Sequence, residues 1–468
     1  MLKTFYIIWR RALITHFEIE NFKAFSFNQK LKFSPITLIY GPNSSGKSSI
    51  IQALMMLKQT IQQRAGNGAL VTSGEDISLS NFDAIIHGQN IDKEMKFSFE
   101  YKATYSASDF RQKNSYNLIF ANNDTRKTSL SFNVSKKQPK LNEFYFSCRD
   151  KTIEKVSYTL KRSNETSEGS SYKLQEITSI RGYISKRSKY GLSDYYSWNE
   201  LDNSLSHPFF IDQKINLPVS TGNTSGETDL SIFSSRIIYD IEFLIDKLKY
   251  LGPLRSSPKR FYSQEIGIYQ KGQGKGNLGL SIYNANEQEK RKINEFLNNF
   301  NIPYTINAVD IGDVNTGEII SMRLVDSRND TIVTPKDVGF GIGQVLPIII
   351  DSVISKNKII CVEQPEIHLH PRLQAHLADL FIDSVSSDSN NQWIIETHSE
   401  ALMLRLQRRI RDNKISKELI SVLYVDVGDN GAQVLELPLD DDGDFTTHWP
   451  NGFFEERIHE IYGVENDH

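Results

Sequence analysis

The stretch from Gly41 to Ser48 has the residue types and the spacing of a phosphate-binding loop. It reads GPNSSGKS and matches the pattern G-x-x-x-x-G-K-[S/T]. Its glycines allow successive N–H groups to face phosphate oxygens, while Lys47 reaches the β- and γ-phosphates and the Ser48 hydroxyl coordinates Mg²⁺. The sequence therefore predicts a site for ATP with Mg²⁺. The residues predicted to bind the nucleotide here are Gly41, Pro42, Asn43, Ser44, Ser45, Gly46, Lys47, Ser48 and Ser49.

A second group of polar residues follows two apolar segments near the C-terminus. Glu363 ends the segment IICV, Gln364 and Glu366 come directly after it, and His398 follows the next apolar segment. The carboxyl ends of strands in α/β sheets face ligands, so Glu363 is predicted to hold Mg²⁺ through water, opposite Ser48. An imidazole at the end of a strand can contact a γ-phosphate or orient water. We therefore take Glu363, Gln364, Glu366 and His398 as candidate catalytic residues.

His368 and His370, separated by one residue, suggest either a metal pair or a loop that braces a partner subunit. No third soft ligand lies nearby in the sequence, and structural zinc sites use four ligands. The bracing loop is therefore favoured over a zinc site.

Composition excludes several classes of protein. The chain has 468 residues, 39% of them hydrophobic, and a net charge of -3, so bulk charge does not make it a binder of polyanions. Charge is uneven: residues 101–200 carry 18 Lys and Arg against 10 Asp and Glu, whereas residues 421–468 carry 12 acidic residues and one basic residue. Two cysteines cannot build a disulfide framework, which fits a cytoplasmic location. No apolar run approaches the roughly 20 residues that span a bilayer, so no membrane partner is expected.

The elements that would position the phosphate loop are recognisable on both sides of it. The apolar segment SPITLIYG predicts a buried strand before the loop, and residues 47–64 have helical spacing after it. From residue 337 onward, apolar helices alternate with short apolar strands, which predicts a parallel sheet. No heptad pattern is long enough for a coiled-coil arm. The predicted fold class is α/β, with a central mixed or parallel sheet, helices and a β-rich insertion.

The sequence divides into six segments. We expect a poorly determined leader over 1–15, an N-terminal lobe with the phosphate loop over 16–100, a β-rich insertion over 101–235, connecting helices and strands over 236–330, a C-terminal lobe over 331–438 and an acidic segment over 439–468.

Four motifs together resemble the ABC-type ATPases of the SMC/RecF and OLD (overcoming lysogenization defect) groups. They are GPNSSGKSS, DVGFGIGQVLPI, EQPEIHLHP and ETHSEAL. NFKAF, NFDAIIHG, YLGPLR and WPNGFFEE look more like bacterial AAA-type ATPases that end in a small domain of unknown function. The resemblance spans residue 16 to about 457, and it implies the head of an ABC-type P-loop ATPase. Relatives are often ATPase components of anti-phage defence systems, including PARIS-type and Septu-type systems.

The resemblance implies roles for particular residues. Residues 41–48 become the Walker A loop, Glu363 the Walker B residue where many relatives have Asp, and His398 the switch histidine. Gln89, or the NFDAIIHG stretch before it, becomes the Q-loop, which would add Gln89 to the Mg²⁺ ligands. Residues 338–344 become the signature motif, which binds the γ-phosphate of ATP held by the other subunit of a homodimer or higher homo-oligomer. Its predicted nucleotide contacts are Gly339, Gly341, Gly343 and Gln344.

The sequence departs from the family pattern at two positions. Gly343 stands where close relatives often carry Ser, so a hydroxyl contact across the dimer is missing. Gln364 stands where ABC ATPases usually have the catalytic Glu, and an amide cannot accept the proton of the attacking water. Glu366 is then the remaining candidate for the base, and hydrolysis is expected to be slow.

Three functions remain open from the sequence. The leading one is a nucleotide-switched ATPase that dimerises around ATP and controls an effector protein or a nucleic acid. The second is an OLD-type nuclease, for which the acidic loop from Asp440 to Asp444 is too short a framework, so that a solvated loop is favoured. The third is an ATP-binding sensor with negligible hydrolysis. The basic insertion over 101–235 would bind nucleic acid through phosphate contacts and stacking, but a solvated face of a β-domain is favoured.

Overall fold

The computed structural model describes residues 13–63, 69–102, 124–135, 138–150, 153–166, 169–178, 237–238, 240–253, 255, 258–263 and 278–450. The chain divides into two compact units. The first comprises residues 1–32 and 52–247, and the second comprises residues 33–51 and 248–468. The N-terminal strand begins at Leu13, whereas residues 1–12 of the expected leader and residues 179–235 of the expected β-rich insertion lie outside the described residues.

The first unit contains a seven-stranded antiparallel sheet. Its order is β2-β1-β4-β5-β6-β7-β8, so the strands of the basic insertion continue the sheet that starts at the N-terminus. The strands are β1 Leu13–Glu20, β2 Gln29–Lys32, β4 Met95–Lys102, β5 Thr125–Ser135, β6 Gln138–Asp150, β7 Ile153–Thr166 and β8 Gly169–Thr178. In β4 the side chains of Met95, Phe97, Phe99 and Tyr101 are buried, which gives the sheet an apolar face.

Short helical pieces accompany this sheet. Helix α1, Lys47–Gln62, starts in the second unit and its residues from Gln52 belong to the first. Helix α2, Phe82–Ile85, and a 3₁₀ turn, His87–Gln89, follow. Residues 240–245 are also helical and bring the buried carboxylate of Asp240 next to Arg126 and Tyr101.

The second unit is built on a six-stranded sheet that is parallel except at one edge. Its order is β17-β16-β3-β15-β14-β9, and β17 alone pairs antiparallel among its described strands. Its strands are β3 Ile36–Tyr40, β9 Leu248–Leu251, β14 Ile359–Glu363, β15 Gln392–Glu396, β16 Ile420–Gly428 and β17 Gly431–Glu436. Every residue of β3, β14 and β15 is buried, as expected of central parallel strands covered on both faces. The parallel pairing predicted from the alternating pattern is confirmed.

Among its described residues, the second unit has five further α-helices. They are α3 Leu278–Asn284, α4 Glu287–Asn299, α5 Phe340–Ile354, α6 Pro371–Ser386 and α7 Glu400–Arg411. Local sequence explains where several begin. The side chain of Ser399 accepts a hydrogen bond from the N–H of Leu402 at the start of α7, and Asn286 forms a capping box with Glu289 at the start of α4. Pro371 occupies the first turn of α6, where its missing N–H costs nothing.

A second, antiparallel sheet completes this unit. It contains β10 Phe261–Ser263, β11 Tyr304–Asp310, β12 Ile319–Asp326 and β13 Ile332–Val333. Residues of α4, α5, β11 and β12 share one apolar core with the six-stranded sheet. Trp449 of the acidic segment packs edge-on against Tyr40 of β3, with ring centroids 5.3 Å apart.

The predicted α/β fold class, with its parallel sheet and β-rich insertion, is confirmed. The longest helices among the described residues, α1 and α6, have 16 residues each. Within the described part of the chain, no helix has both the length and the apolar character that crossing a bilayer requires.

Candidate functional site

The predicted phosphate loop connects the carboxyl end of β3 to the first residue of α1. Gly41 has φ 143°, and a Cβ there would lie 2.2 Å from the carbonyl oxygen of Val425. Gly46 has φ 106°, which also favours glycine. The loop therefore needs glycine at both positions for its backbone conformation, in addition to any contact with phosphate.

Lys47 lies within this loop and is buried. Its Nζ donates hydrogen bonds to the carbonyl oxygens of Gly41, at 2.9 Å, and Pro42, at 2.6 Å. Burial lowers the pKa of the ammonium group, and the nearby carboxylate of Glu396 acts in the opposite direction. A phosphate would give Lys47 a charged acceptor in place of the two carbonyl oxygens.

Ser48 contacts a carboxylate that the sequence did not single out. Its hydroxyl donates a hydrogen bond of 2.9 Å to Oε1 of Glu396, the last residue of β15. Glu396 is 3% exposed, and its second oxygen, Oε2, is buried without a hydrogen-bond partner. Burial raises the pKa of this carboxyl, whereas the bond from Ser48 and the charge of Lys47 lower it. Glu396 therefore belongs to the site.

Glu363, the predicted Walker B residue, ends β14 beside Glu396. The two strands are parallel, and Glu363 pairs in register with Glu396. The hydroxyl of Tyr250 in β9 donates to Oε1 of Glu363 at 2.9 Å, and burial raises the pKa of that tyrosine. The strand order β3-β15-β14 thus brings Ser48, Glu396 and Glu363 together at the edge of the sheet where the parallel strands have their carboxyl ends.

Glu366, the remaining candidate base, has both carboxylate oxygens engaged. The N–H of His398 donates to Oε1 at 2.7 Å, and the hydroxyl of Thr397 donates to Oε2 at 2.8 Å. Burial raises the pKa of Glu366, while these two bonds lower it. In this arrangement Glu366 fixes the position of the main chain at Thr397 and His398.

Gln364 and His398 flank this carboxylate. Gln364 has φ 45°, and its N–H donates to the carbonyl oxygen of Glu396 at 2.8 Å, which fixes the ends of β14 and β15 to each other. Burial lowers the pKa of His398, and the charge of Lys47 lowers it further. Both effects favour the neutral imidazole at pH 7.

The predicted signature motif forms the start of α5, and its residues differ in accessibility. Gly339 is exposed and a Cβ there would contact nothing, whereas a Cβ at Gly341 would lie 2.7 Å from the carbonyl oxygen of His368. Gly343 is buried but has room, since its Cβ would lie 3.5 Å from Pro258. Gln344 is 1% exposed. Only the first residues of the motif are therefore accessible to another molecule.

Arg255, in the loop after β9, connects this helix to the end of β14. Its main chain pairs with the side chain of Gln344, and its Nη2 donates to the carbonyl oxygens of Glu363, at 2.7 Å, and Gln364, at 3.1 Å. Burial lowers the pKa of Arg255 to about 10, and the charges of Glu366 and Glu363 raise it. Its guanidinium therefore remains charged at neutral pH.

Gln89, the predicted Q-loop residue and metal ligand, lies in the first unit. It is exposed, has φ 55° and lines a pocket of about 550 Å³ together with Lys23 and Gln52. Its proposed role toward Mg²⁺ stays a prediction.

His368 and His370 make separate contacts. The ring of His368 packs edge-on against Phe340 with centroids 4.8 Å apart, and Nδ1 of His370 accepts a hydrogen bond from the N–H of Arg372 at the start of α6. Among the residues that the structure describes, no three His, Cys, Asp or Glu side chains are grouped to hold a metal ion.

The site nevertheless fits Mg²⁺ bound together with a nucleotide. Mg²⁺ in such sites is held by one or two carboxylates and by the phosphates of the substrate, and it keeps several waters. A Ser48 hydroxyl that donates its hydrogen to Glu396 keeps its lone pairs for a cation, and Glu363 supplies a second carboxylate at the same edge.

Two residues of this site, Glu396 and Arg255, were not predicted from the sequence, although both lie in motifs quoted above. Glu396 stands two residues before His398 in ETHSE, and Arg255 ends YLGPLR. An acidic residue immediately after a buried strand was the signal available for Glu396, since it is the same signal that identified Glu363.

A family model described as an AAA ATPase domain matches residues 13–403, which include every residue of this site. The chain belongs to this family. The chain is therefore a P-loop ATPase of this family, and the loop pattern from Gly41 to Ser48 lies within the matched residues. No curated protein sequence matches the chain.

Solved structures with similarity to this AAA ATPase include heads of SMC proteins. An SMC head bound to the C-terminal winged-helix domain of ScpA is 12% identical, with a TM-score of 0.47, and the match covers 91% of this chain and 98% of that one. The SMC head domain from Thermotoga maritima is 11% identical, with a TM-score of 0.35 and coverage of 91% and 99%. An Smc head with an extended coiled coil, bound to the C-terminal domain of ScpA derived from Pyrococcus furiosus, is 12% identical, with a TM-score of 0.42 and coverage of 97% and 100%.

Proposed function

We propose that the chain is a nucleotide-controlled switch that binds Mg-ATP and forms a head-to-tail homodimer around two ATP molecules. The observation that carries this proposal is the convergence of Lys47, Ser48, Glu396 and Glu363 at one edge of the parallel sheet. A buried cation and a hydroxyl at the start of a helix are groups that bind the phosphates of a metal-complexed triphosphate, and carboxylates beside them hold the metal or take part in hydrolysis.

The start of α5 supports a dimer. Gly339 is exposed and the side chain of Phe340 is 51% exposed, so the first turn of this helix is accessible. The N–H groups at a helix start and the helix dipole favour an anion, such as the γ-phosphate of ATP in another subunit. Because Gln344 is buried against Arg255, we assign contact with the partner's ATP to residues 339–341 and not to Gln344.

Slow hydrolysis is part of the proposal. Gln364 stands at the usual position of the base, and because general-base catalysis is typically worth about 10²–10⁴-fold in rate, we expect hydrolysis to be slower than with a carboxylate at that position. The ATP-bound dimer would then persist long enough to act on an effector protein. In the limiting case the chain would be an ATP-binding sensor with negligible turnover.

The dimer is tested by small-angle scattering with and without Mg-ATP. We expect ATP to increase the mass or to change the compactness of the particles. Gly339→Trp should prevent this change and leave Mg-ATP binding intact, because its side chain enters open space. Gly341→Trp is less suitable, since it would displace the chain's own His368. Val314→Trp, which adds the same side chain at a fully exposed position of the same unit, is the control.

Two outcomes would contradict the dimer. Scattering profiles that are the same with and without ATP, in a protein that binds ATP, would exclude an ATP-driven change of assembly. An ATP response that survives Gly339→Trp would exclude the start of α5 as the contact.

An OLD-type nuclease is the second candidate, and the acidic loop argues against it. Asp440 accepts hydrogen bonds from the N–H groups of Asp442 and Asp444, while Asp441 and Asp444 pair with Lys417 and Arg411. These carboxylates shape a turn and neutralise surface cations. Mg²⁺- or Mn²⁺-dependent cleavage of DNA or RNA that Asp442→Ala and Asp444→Ala abolish would favour the nuclease.

The biological setting that we propose is anti-phage defence or DNA surveillance in the cytoplasm. It rests on the resemblance of the motifs, with an effector protein or a nucleic acid as the partner. Protection of cells in a phage-plating assay that disappears with Lys47→Ala would support this setting. Equal plating efficiency with and without the gene and its neighbours would count against it.

A further inference from the structure

Glu396 combines two features in one buried carboxylate. Oε1 accepts the hydrogen bond from Ser48, so the group lies within reach of the phosphate loop. Oε2 is buried without a partner in a side chain that is 3% exposed. A buried carboxylate oxygen that makes no hydrogen bond is costly, and such groups in native proteins are commonly reserved for function.

Other groups at this edge of the sheet are less suited to accept a proton from water. The amide of Gln364 cannot do so. Both oxygens of Glu366 already accept hydrogen bonds, from Thr397 and from the N–H of His398. Oε1 of Glu363 accepts from Tyr250, on the side of the sheet that β9 borders. Oε2 of Glu396 is a carboxylate oxygen that is buried and makes no hydrogen bond within the described part of the protein.

The main chain keeps Glu396 next to the position of the missing base. The N–H of Gln364 donates to the carbonyl oxygen of Glu396, at 2.8 Å, and β15 lies directly between β3 and β14. A carboxylate at the end of β15 is therefore one strand closer to the phosphate loop than Gln364.

We propose that Glu396 is the catalytic carboxylate of ATP hydrolysis and takes the place of the glutamate that Gln364 lacks, an inference that rests on the proposed ATPase function. Oε2 takes a proton from the attacking water as the water oxygen bonds to the γ-phosphorus. The bond from that phosphorus to the β–γ bridging oxygen breaks, and its electron pair leaves with ADP. Oε1 meanwhile holds the hydroxyl hydrogen of Ser48, which would leave the lone pairs of that hydroxyl available to a cation.

The test is Glu396→Gln, which preserves the shape of the side chain and leaves one oxygen to accept from Ser48. We expect the Kd for Mg-ATP to change by less than about threefold, which is a smaller change than the loss of a charged contact would cause. Turnover should fall about 10²–10⁴-fold. As a readout that does not require steady-state rates, nucleotide extracted from the protein after incubation with ATP should be ATP in the variant and largely ADP in the wild type. Glu295→Gln, an exposed glutamate of α4, is the control and should resemble the wild type.

A rescue experiment separates catalysis from folding. Gln364→Glu introduced into the Glu396→Gln variant returns a carboxylate to the usual position of the base, and it should restore turnover by at least about tenfold. A variant that is merely misfolded would not be rescued.

Three results are decisive. Turnover within a few-fold of the wild type in Glu396→Gln would overturn this inference and leave the ATPase proposal intact. Loss of Mg-ATP binding together with turnover would also overturn it, because Glu396 would then serve binding. A wild-type protein that binds Mg-ATP without hydrolysing it would overturn the catalytic role of Glu396 and leave the proposed function in its limiting form, an ATP-binding sensor.

Discussion

The side chain of Gln344 pairs with the main chain of Arg255 through two hydrogen bonds. The N–H of Arg255 donates to Oε1 of Gln344 at 3.1 Å, and Nε2 of Gln344 donates to the carbonyl oxygen of Arg255 at 3.0 Å. The guanidinium of Arg255 donates in turn to the carbonyl oxygens of Glu363 and Gln364. One residue thus joins the helix that carries the signature motif to the end of β14.

This connection predicts that Arg255→Lys impairs catalysis more than binding. Lys keeps the charge, but its side chain is shorter than that of Arg, so its ammonium group does not reach the position from which Nη2 donates to both carbonyl oxygens. We expect turnover to fall at least about tenfold, equivalent to about 1.4 kcal/mol, while the Kd for Mg-ATP changes less than about threefold. Steady-state kinetics and equilibrium binding measure the two effects. Arg260→Lys, at an exposed arginine paired with Asp337, is the control.

A double-mutant cycle tests whether Arg255 acts through its hydrogen bonds to Gln344 of α5. Gln344→Met keeps the size of the side chain but removes both bonds to Arg255. Because the two residues act on the same strand end, the effects of Arg255→Lys and Gln344→Met should be less than additive. Fully additive effects would show that the two residues act separately.

Lys47 is predicted to be needed for nucleotide binding. Lys47→Ala removes the ammonium group that bonds the carbonyl oxygens of Gly41 and Pro42. Loss of a charged phosphate contact should weaken Mg-ATP binding by more than about tenfold, or about 1.4 kcal/mol. Calorimetric titration of the folded variant measures it, and unchanged affinity would exclude the predicted role of the loop.

Glu366→Gln is predicted to have a modest effect. The amide oxygen can accept from the N–H of His398, while the amide nitrogen donates to the hydroxyl of Thr397 after that hydroxyl turns. Since one hydrogen bond contributes about 1 kcal/mol, turnover should fall by less than about tenfold. Glu366→Leu, which cannot form either bond, should lower it further. Complete loss of turnover in Glu366→Gln alone would instead make Glu366 the working base.

The phosphate loop and the parallel sheet could be predicted from the sequence because their signals are local. Residues 36–40 form an uninterrupted apolar strand, the loop pattern follows directly, and helices and strands alternate after residue 337. The position of β9 could not be predicted from local signals. Residues 236–250 have helical spacing throughout, yet Leu248–Leu251 form a strand. That strand is short, contains Lys249 and lies at the sheet edge, so its conformation depends on pairing with β14.

The contacts within the site were harder to predict because they join distant parts of the chain. Ser48 and Glu396 are 348 residues apart, and Arg255 and Glu363 are 108 apart. Local patterns place each residue at the end of a strand, but they do not give the order of strands in the sheet. The order β3-β15-β14 decides that Glu396, and not Glu363, meets the serine of the phosphate loop.

The last prediction concerns stability and a buried ion pair of the first unit. Arg126 and Asp240 are both 0% exposed, Nε of Arg126 lies 3.2 Å from Oδ2 of Asp240, and the hydroxyl of Tyr101 donates to the same oxygen at 2.6 Å. Burial raises the pKa of Asp240 to about 7, so the ion pair is fully formed only above that pH. At about pH 9, Asp240→Asn leaves the guanidinium buried without its carboxylate, which should lower the free energy of unfolding by about 3–5 kcal/mol. Asp246→Asn, an exposed position six residues on, should change it by about 0.5 kcal/mol or less. Urea denaturation followed by both tryptophan fluorescence and circular dichroism measures this, since two units need not unfold together.

Replacing the pair with apolar residues, Arg126→Met with Asp240→Leu, should recover most of the loss because neither charge is then buried. A loss as small as that of Asp246→Asn would show that the pair adds little to the stability of the first unit.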